Sequence, residues 1–328
     1  MPAGFPSWPC PTPPIRCGLG WVWGALLAWV LAVGPALGQK RTGTIAPRTR
    51  PEAGASSPAA DPPAVRAKLF QAATLANNFK ESEALALYQD VLKTAPAHYV
   101  ALWQASLLSV RIGSRYSDET RKAAYFEAAR QYADRALLIR PEGGESNYAV
   151  ALALFNQAIL FRAGARLAAF RDLRSHVYLA TERRPDLPGA WQLLGRWQYR
   201  VAHYNLLERV YSKLVLGGVP GGGDSRAAME SLEKARQLAP FNLQFCYDLA
   251  RMCRYQGRRR RAIEVLREAE KIPAITSEDL VVSRLCRQML PILLRADARR
   301  QKRLARFLRP TAPPDSTRQP IDTASKKE

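Results

Sequence analysis

Five segments of this chain close in the same way, and that recurrence constrains the fold more than any other feature. "EALALYQDVLKTAP" ends at Pro96, "AARQYADRALLIRP" at Pro141, "LRSHVYLATERRP" at Pro185, "AAMESLEKARQLAP" at Pro240 and "RAIEVLREAEKIP" at Pro273. Each carries apolar or small residues at i, i+4 and i+7, as in Ala84/Tyr88/Val91, Ala228/Leu232/Ala235 and Ala262/Leu266/Ala269. That spacing places the side chains on one helical stripe, and the small ones admit a close neighbour. Proline then stops the helix, because it lacks an N–H and disfavours a helical residue before it. Between about residues 64 and 294 helical periodicity is nearly continuous and period-two β-branched runs are absent, so the expectation is all-α. A helix pair cannot bury its apolar face alone, so recurring pairs stack into a superhelix with a concave surface.

The segment ahead of one of these closures, "GAWQLLGRWQYRVA" (Gly189 to Ala202), supplies the first helix of such a pair. Trp191, Leu194 and Gly195 match the W-x2-L-G opening of a tetratricopeptide unit, with Gln198 in the place of its tyrosine. The fifth unit places Leu249, Ala250, Gly257, Ala262, Leu266 and Ala269 at the matching offsets. The expected fold is a tetratricopeptide-like α-α superhelix, a right-handed solenoid of about five irregular helix pairs plus a C-terminal capping helix over Ser277 to Leu294. The prolines are spaced more widely than a plain array requires. The long stretch "HYNLLERVYSKLVLGGVPGGGDS" suggests a first helix running on to about Leu216, then a glycine loop, then a helix capped by Asp224 or Ser225.

"LLGRWQYRVA", the long helix expected after it, the "GGVPGGG" loop and "AMESLEKARQLAP" resemble the regulator of microtubule dynamics family, most of all its exported bacterial relatives. The resemblance spans roughly Ala64 to Leu294. It implies a helical repeat fold and supplies no catalytic residues. Eukaryotic members are linked to microtubules and organelle contacts, roles that do not carry over to an exported bacterial chain.

Residues 1–38 read as a secretory signal peptide. No charge occurs from Gly18 to Gly38, Pro35 breaks the apolar run, and Ala36 and Gly38 are small residues before a cut ahead of Gln39. The alternative is an uncleaved N-terminal membrane anchor, since the uncharged run just reaches spanning length. Export points to a periplasmic or envelope-associated setting. Residues 39–63 are a Pro/Ala-rich linker without apolar period. Residues 295–328 comprise a basic helix and a polar tail. In that helix Leu304, Phe307 and Leu308 form a narrow apolar patch among arginines, which suits either anionic lipid or an extension of the cap. The turn Arg258 to Arg261 reads as a solvated basic turn.

Catalytic signatures are missing. The glycine loop Gly217 to Gly223 lacks the Lys-Ser/Thr of a phosphate-binding loop and follows no strand. His98, His176 and His203 are scattered, no C-x-x-C occurs, and the carboxylate pairs Glu81/Glu83, Glu268/Glu270 and Glu278/Asp279 fit helix turns. No enzyme, cofactor or metal is expected. Cys246 and Cys253 are too far apart on one helix to bridge, at about 10 Å. Either could meet Cys286, but three buried free thiols are favoured.

The formal charge of +21 favours an anionic partner. On the helix over Gly189 to Ala202, Trp191, Leu194, Gly195, Gln198 and Ala202 form the expected packing stripe, with Arg196 and Arg200 nearly opposite. In the tetratricopeptide register, Gln192, Arg196, Tyr199 and Arg200 then line the concave groove. The same register in the fifth unit gives Tyr247, Arg251, Arg254 and Tyr255. Arginine supplies a rigid fork for carboxylate or phosphate, and tyrosine adds flat contact area. The expectation is a protein-interaction scaffold holding an acidic peptide segment in a basic-aromatic groove. The rivals are an anionic-lipid or envelope-surface module and, on charge alone, a nucleic-acid binder. The repeat-packing set is Trp191, Leu194, Gly195, Ala228, Ala235, Ala262 and Ala269.

Overall fold

A computed structural model describes residues 61–307, and the described residues from Pro63 onward belong to one compact unit. The expectations for the leader, most of the linker and the tail beyond 307 lie outside the described residues. Among the described residues there are twelve helices and no strands. They are α1 (Pro63–Asn77), α2 (Glu81–Thr94), α3 (Tyr99–Arg115), α4 (Glu119–Ile139), α5 (Gly144–Leu160), α6 (Ala163–Arg183), α7 (Pro188–Ala202), α8 (Leu206–Val215), α9 (Ser225–Leu238), α10 (Leu243–Tyr255), α11 (Arg259–Ala269) and α12 (Ser277–Phe307).

Five pairs stack in sequence: α1/α2, α3/α4, α5/α6, α7/α9 and α10/α11, with α12 laid on the last. The proline punctuation acts as its chemistry dictates. α2, α4, α6 and α9 each stop two residues before their proline. Their closing residues Ala95, Arg140, Arg184 and Ala239 share one geometry, φ −130° to −138° and ψ 71° to 86°, and each donates its N–H back to the carbonyl four residues earlier. The wide intervals have a structural cause. α4 and α6 are 21 residues long and α3 and α5 are 17, against 14 for α2 and α9 and 11 for α11. In the longest interval an extra helix, α8, stands between the two members of the fourth pair.

That insertion corrects the reading of one helix continuing to about Leu216. α7 ends at Ala202, and Asn205 starts a new helix with a capping box. The Glu208 amide donates to Asn205 Oδ1 at 2.8 Å, and the Glu208 carboxylate accepts from the Asn205 amide at 2.9 Å. The reciprocal pair satisfies two otherwise orphaned donors and fixes the break. Asp224, as expected, caps α9 by accepting from the Ala227 amide at 2.8 Å.

The core lies along the seams between helices. Ala84, Ala228, Ala235, Ala262 and Ala269 are at most 1% exposed, and Leu194 is buried. Gly195 marks the tightest approach: a Cβ there would lie 2.8 Å from the Ala228 carbonyl oxygen and 2.8 Å from Leu232 Cγ. Gln198 is buried and accepts from Ser231 Oγ at 2.9 Å, joining α7 to α9. The packing stripe is otherwise rotated from the expected one. Trp191 is only half-buried, and its indole N–H donates to the Pro185 carbonyl at 2.9 Å. It lies in the first turn of α7, beside the preceding loop rather than over the body of a neighbouring helix. Trp197 fills the core instead. It is fully buried, donates to the Phe170 carbonyl at 2.7 Å and meets the Tyr178 ring edge-on at 5.8 Å. Ala202 is likewise half-buried, and Val201 takes its place in the core.

Cys246, Cys253 and Cys286 are free and buried among α9–α12, in agreement with the expectation. α12 runs unbroken from the capping segment into the basic extension, with Pro291 inside it.

Candidate functional site

The first helices of successive pairs touch one another: α3 on α5, α5 on α7, α7 on α10, and α10 on α12. The second helices are joined instead by long side chains, such as Gln89 to Tyr132 Oη at 3.2 Å and Arg236 to Glu268 at 2.5 Å. Closer spacing on one layer than on the other bends the array toward the first helices, whose outward stripe becomes the inner face. At one rim the bend brings distant segments together. Arg115, at the end of α3, pairs with Glu278, at the start of α12, at 2.5 Å, and also with the buried Glu81.

On this face Gln192 donates to Asp248 Oδ2 at 2.8 Å, tying α7 to α10. Arg196 lies with its Cζ 4.7 Å from the centroid of the Phe155 ring on α5. Tyr199 stacks on His203 at 4.1 Å and packs with Tyr247 against the α9–α12 core. Burial pushes the Tyr199 phenol above its ordinary range, against the pull of the Arg251 charge, while Tyr255 adds to the rise. Arg251 is therefore a neighbour of Tyr199 across the α7–α10 seam, as Arg196 is of Phe155 across the α5–α7 seam. Arg254 and Tyr255 are exposed at the end of α10, with the guanidinium 5.9 Å from the ring centroid.

Arg200 leaves this set. It forms a two-pronged ion pair with Glu208 of α8, and its side chain is 13% exposed. It also lies 5.0 Å from the Tyr204 ring and 5.8 Å from the Phe170 ring. Burial raises the Glu208 carboxyl, but the Arg200 hydrogen bond and the Asn205 amide outweigh it and hold the group below the ordinary carboxylate range. A guanidinium neutralised this way is not available to a ligand. Arg196 and Arg251 differ: among the described residues no carboxylate lies within ion-pair distance of either. On the outer layer, by contrast, Arg236 and Arg261 share Glu233 and also reach Glu268 and Glu264.

The sequence profile described as regulator of microtubule dynamics protein 1-3 matches residues 69–293. The chain belongs to the regulator of microtubule dynamics family. Regulator of microtubule dynamics protein 3 of Rattus norvegicus is 28% identical over 177 residues, covering 52% of this chain and 37% of that protein. The Bos taurus protein is 27% identical over 177 residues with the same coverage. The matched part is thus little more than a third of these relatives' length. Among solved structures, TTC0263, a thermophilic tetratricopeptide protein of Thermus thermophilus, aligns with a TM-score of 0.50 at 15% identity. It covers 68% of this chain and 98% of its own. The fold of this regulator of microtubule dynamics family member is accordingly tetratricopeptide-like.

The inner face of this family member extends beyond the two units singled out by sequence. Burial raises the Tyr148 phenol of α5, while Arg111 of α3 and Arg196 of α7 both pull it down, so three successive first helices converge there. Gly189 makes room for that phenol: a Cβ at 189 would lie 2.3 Å from Tyr148 Oη. α5 has no W-x2-L-G opening from which its register could be set, so Tyr148 escaped the sequence pattern. No group of three or more His, Cys, Asp or Glu side chains suited to a metal occurs among the described residues. A surface depression of about 460 Å3 between α11 and α12 is lined by Glu270, Ile272, Pro273, Ala274, Ser283 and Arg287, with no tyrosine among them.

Proposed function

We propose that this chain is a non-enzymatic, exported interaction scaffold, periplasmic or anchored at the envelope by its N-terminal segment, that holds an acidic peptide segment along its inner face. One observation carries the reading. Arg196 and Arg251 occupy equivalent positions on neighbouring first helices, half-buried and without a carboxylate partner among the described residues. Of the other half-buried arginines, Arg184, Arg200, Arg236 and Arg261 each pair with a glutamate. A half-buried guanidinium that the fold leaves unmatched is free to form charge-assisted hydrogen bonds with an incoming carboxylate. Tyr148, Tyr199, Tyr247 and Tyr255 supply stiff aromatic area between and around these charges, as in recognition of acidic motifs by arginine clusters.

The test is binding of a library of acidic peptides to the full chain and to the Arg196→Ala/Arg251→Ala variant, with a charge-reversed library as control. Binding is expected to fall by at least about tenfold, the loss of one or two charge-assisted hydrogen bonds. The circular dichroism melt should change little, because neither arginine pairs with a carboxylate and loss of the Arg196 contact with the Phe155 ring costs only about 1 kcal/mol. Equal binding by variant and native chain ends the reading. Fusion of residues 1–38 to a reporter active only outside the cytoplasm tests the export component.

A further inference from the structure

α8 is built with its polar side inward. Of its ten residues only Ser212 is buried, and Glu208 is drawn down onto Arg200. Leu206, Leu207 and Leu214 are 76%, 79% and 78% exposed, and Val210, Val215 and, just beyond the helix, Val219 are exposed as well. At about 100° per residue, Leu206, Val210, Leu214 and Leu207 share one arc of about 100° on the outer side. A helix held to its domain by the Glu208–Arg200 ion pair and by Arg209, which donates to the Tyr204 and Ala202 carbonyls, with its leucines facing solvent, has its apolar stripe unmatched by its own fold.

Charge at the edge of that stripe selects the occupant. Arg209 and Lys213 flank it, and no carboxylate occurs from Arg209 to Gly223. Behind the C-terminal end of α8, Arg171 and Arg174 of α6 hold the following loop, donating to the Leu216 carbonyl at 3.2 Å and the Gly221 carbonyl at 2.8 Å. Together with Asp172 and Ser175 they line an open depression of about 410 Å3 against that loop. Asp172 lies 3.3 Å from Arg171, whereas Arg174 has no carboxylate partner among the described residues. A second copy of the chain fits poorly. It would bring two basic rims together, and a helix about 15 Å long cannot supply the roughly 800 Å2 per partner of a stable interface.

We propose that α8 is a membrane-contacting element that lies in the headgroup–acyl boundary of an anionic bilayer. Leu206, Leu207, Val210 and Leu214 enter the acyl region, while Arg209, Lys213 and Arg174 meet lipid phosphates. An amphipathic helix of this kind sinks only about 5–10 Å and needs no matching protein surface. The short helix tethers a scaffold surface and does not span: among the described residues no helix is long and apolar enough to cross a membrane. The assignment is independent of the inner-face reading, since none of these residues belongs to that face.

The experiment places an environment-sensitive fluorophore on α8 of the full chain, at Leu214→Cys, with Cys10→Ser and Cys17→Ser so that the remaining thiols are the three buried ones. The label reports α8 whatever else on the chain binds lipid. Vesicles of phosphatidylcholine with phosphatidylserine are expected to shift its emission to the blue, and raised salt to weaken the shift. Vesicles of phosphatidylcholine alone should leave it near its solution value. Adding Leu206→Ser and Leu207→Ser should lower the apparent vesicle affinity by at least about tenfold, from two lost leucine insertions. Arg196→Ala/Arg251→Ala should leave the shift intact. The proposal is overturned by any of three results: no shift with anionic vesicles, an equal shift with neutral ones, or emission already blue before lipid is added. The last would mean that α8 is covered by another part of the chain or by a second copy.

Discussion

The two tryptophans of α7 give the sharpest test of the packing. Trp197 has no exposed surface, and Trp191, six residues earlier, is half-buried beside a loop. Burying an indole removes about 200 Å2 from water, worth about 5 kcal/mol at about 25 cal/mol/Å2. The methyl kept by alanine and the compactness of the unfolded chain reduce this by about 1 kcal/mol. Loss of the hydrogen bond to the Phe170 carbonyl restores about 1 kcal/mol. Trp197→Ala should therefore cost about 4–5 kcal/mol, at the upper end for aromatic truncation in a core. Trp191→Ala, with partial burial and one exposed hydrogen bond, should cost about 1 kcal/mol. Urea unfolding followed by far-UV circular dichroism measures both through the shift of the midpoint at constant slope. If Trp191→Ala destabilises as much as Trp197→Ala, the rotated stripe is wrong and the tetratricopeptide register read from sequence is right.

Gly195→Val should destabilise by about 3 kcal/mol or more in the same assay, because its Cβ meets the backbone oxygen of Ala228 rather than a side chain that can swing away. His176 accounts for a pH effect: burial depresses its pKa, and the Arg130 charge depresses it further, outweighing Asp134 and Asp172. Neutral His176 pairs its Nδ1 with Asn147 Oδ1 at 2.8 Å. Since the folded pKa lies below the unfolded one, stability is full above about pH 6.5 and declines as pH falls below it toward the folded value. His176→Gln should flatten that part of a melting-temperature profile; an unchanged slope would exclude His176 as its source. Burial raises the thiols of Cys246, Cys253 and Cys286, the last to about 12, so they should resist iodoacetamide at about pH 8 until the chain is unfolded. Rapid native labelling of Cys286, read by peptide mass spectrometry, would contradict its burial.

Much of the helical layout was legible because it depends on local chemistry. A proline ends a helix whatever lies beside it, and the alanines of the recurring stripes announce close packing through their size alone. Even the break between α7 and α8 is written in the sequence as Asn205-x-x-Glu208, although the unbroken apolar pattern around it suggested one long helix. Tertiary structure decided everything that depends on what stands opposite a side chain. Periodicity could not choose between Trp191 and Trp197, because both fall near the edges of a broad apolar arc and the choice belongs to the position of α6. It placed Arg196 and Arg200 alike on the polar side, yet only the fold sets Glu208 against Arg200 and leaves Arg196 over an aromatic ring. Nor could a helical pattern show that α8 turns its leucines outward: amphipathicity fixes which residues share a face, and only the surrounding helices fix where that face points.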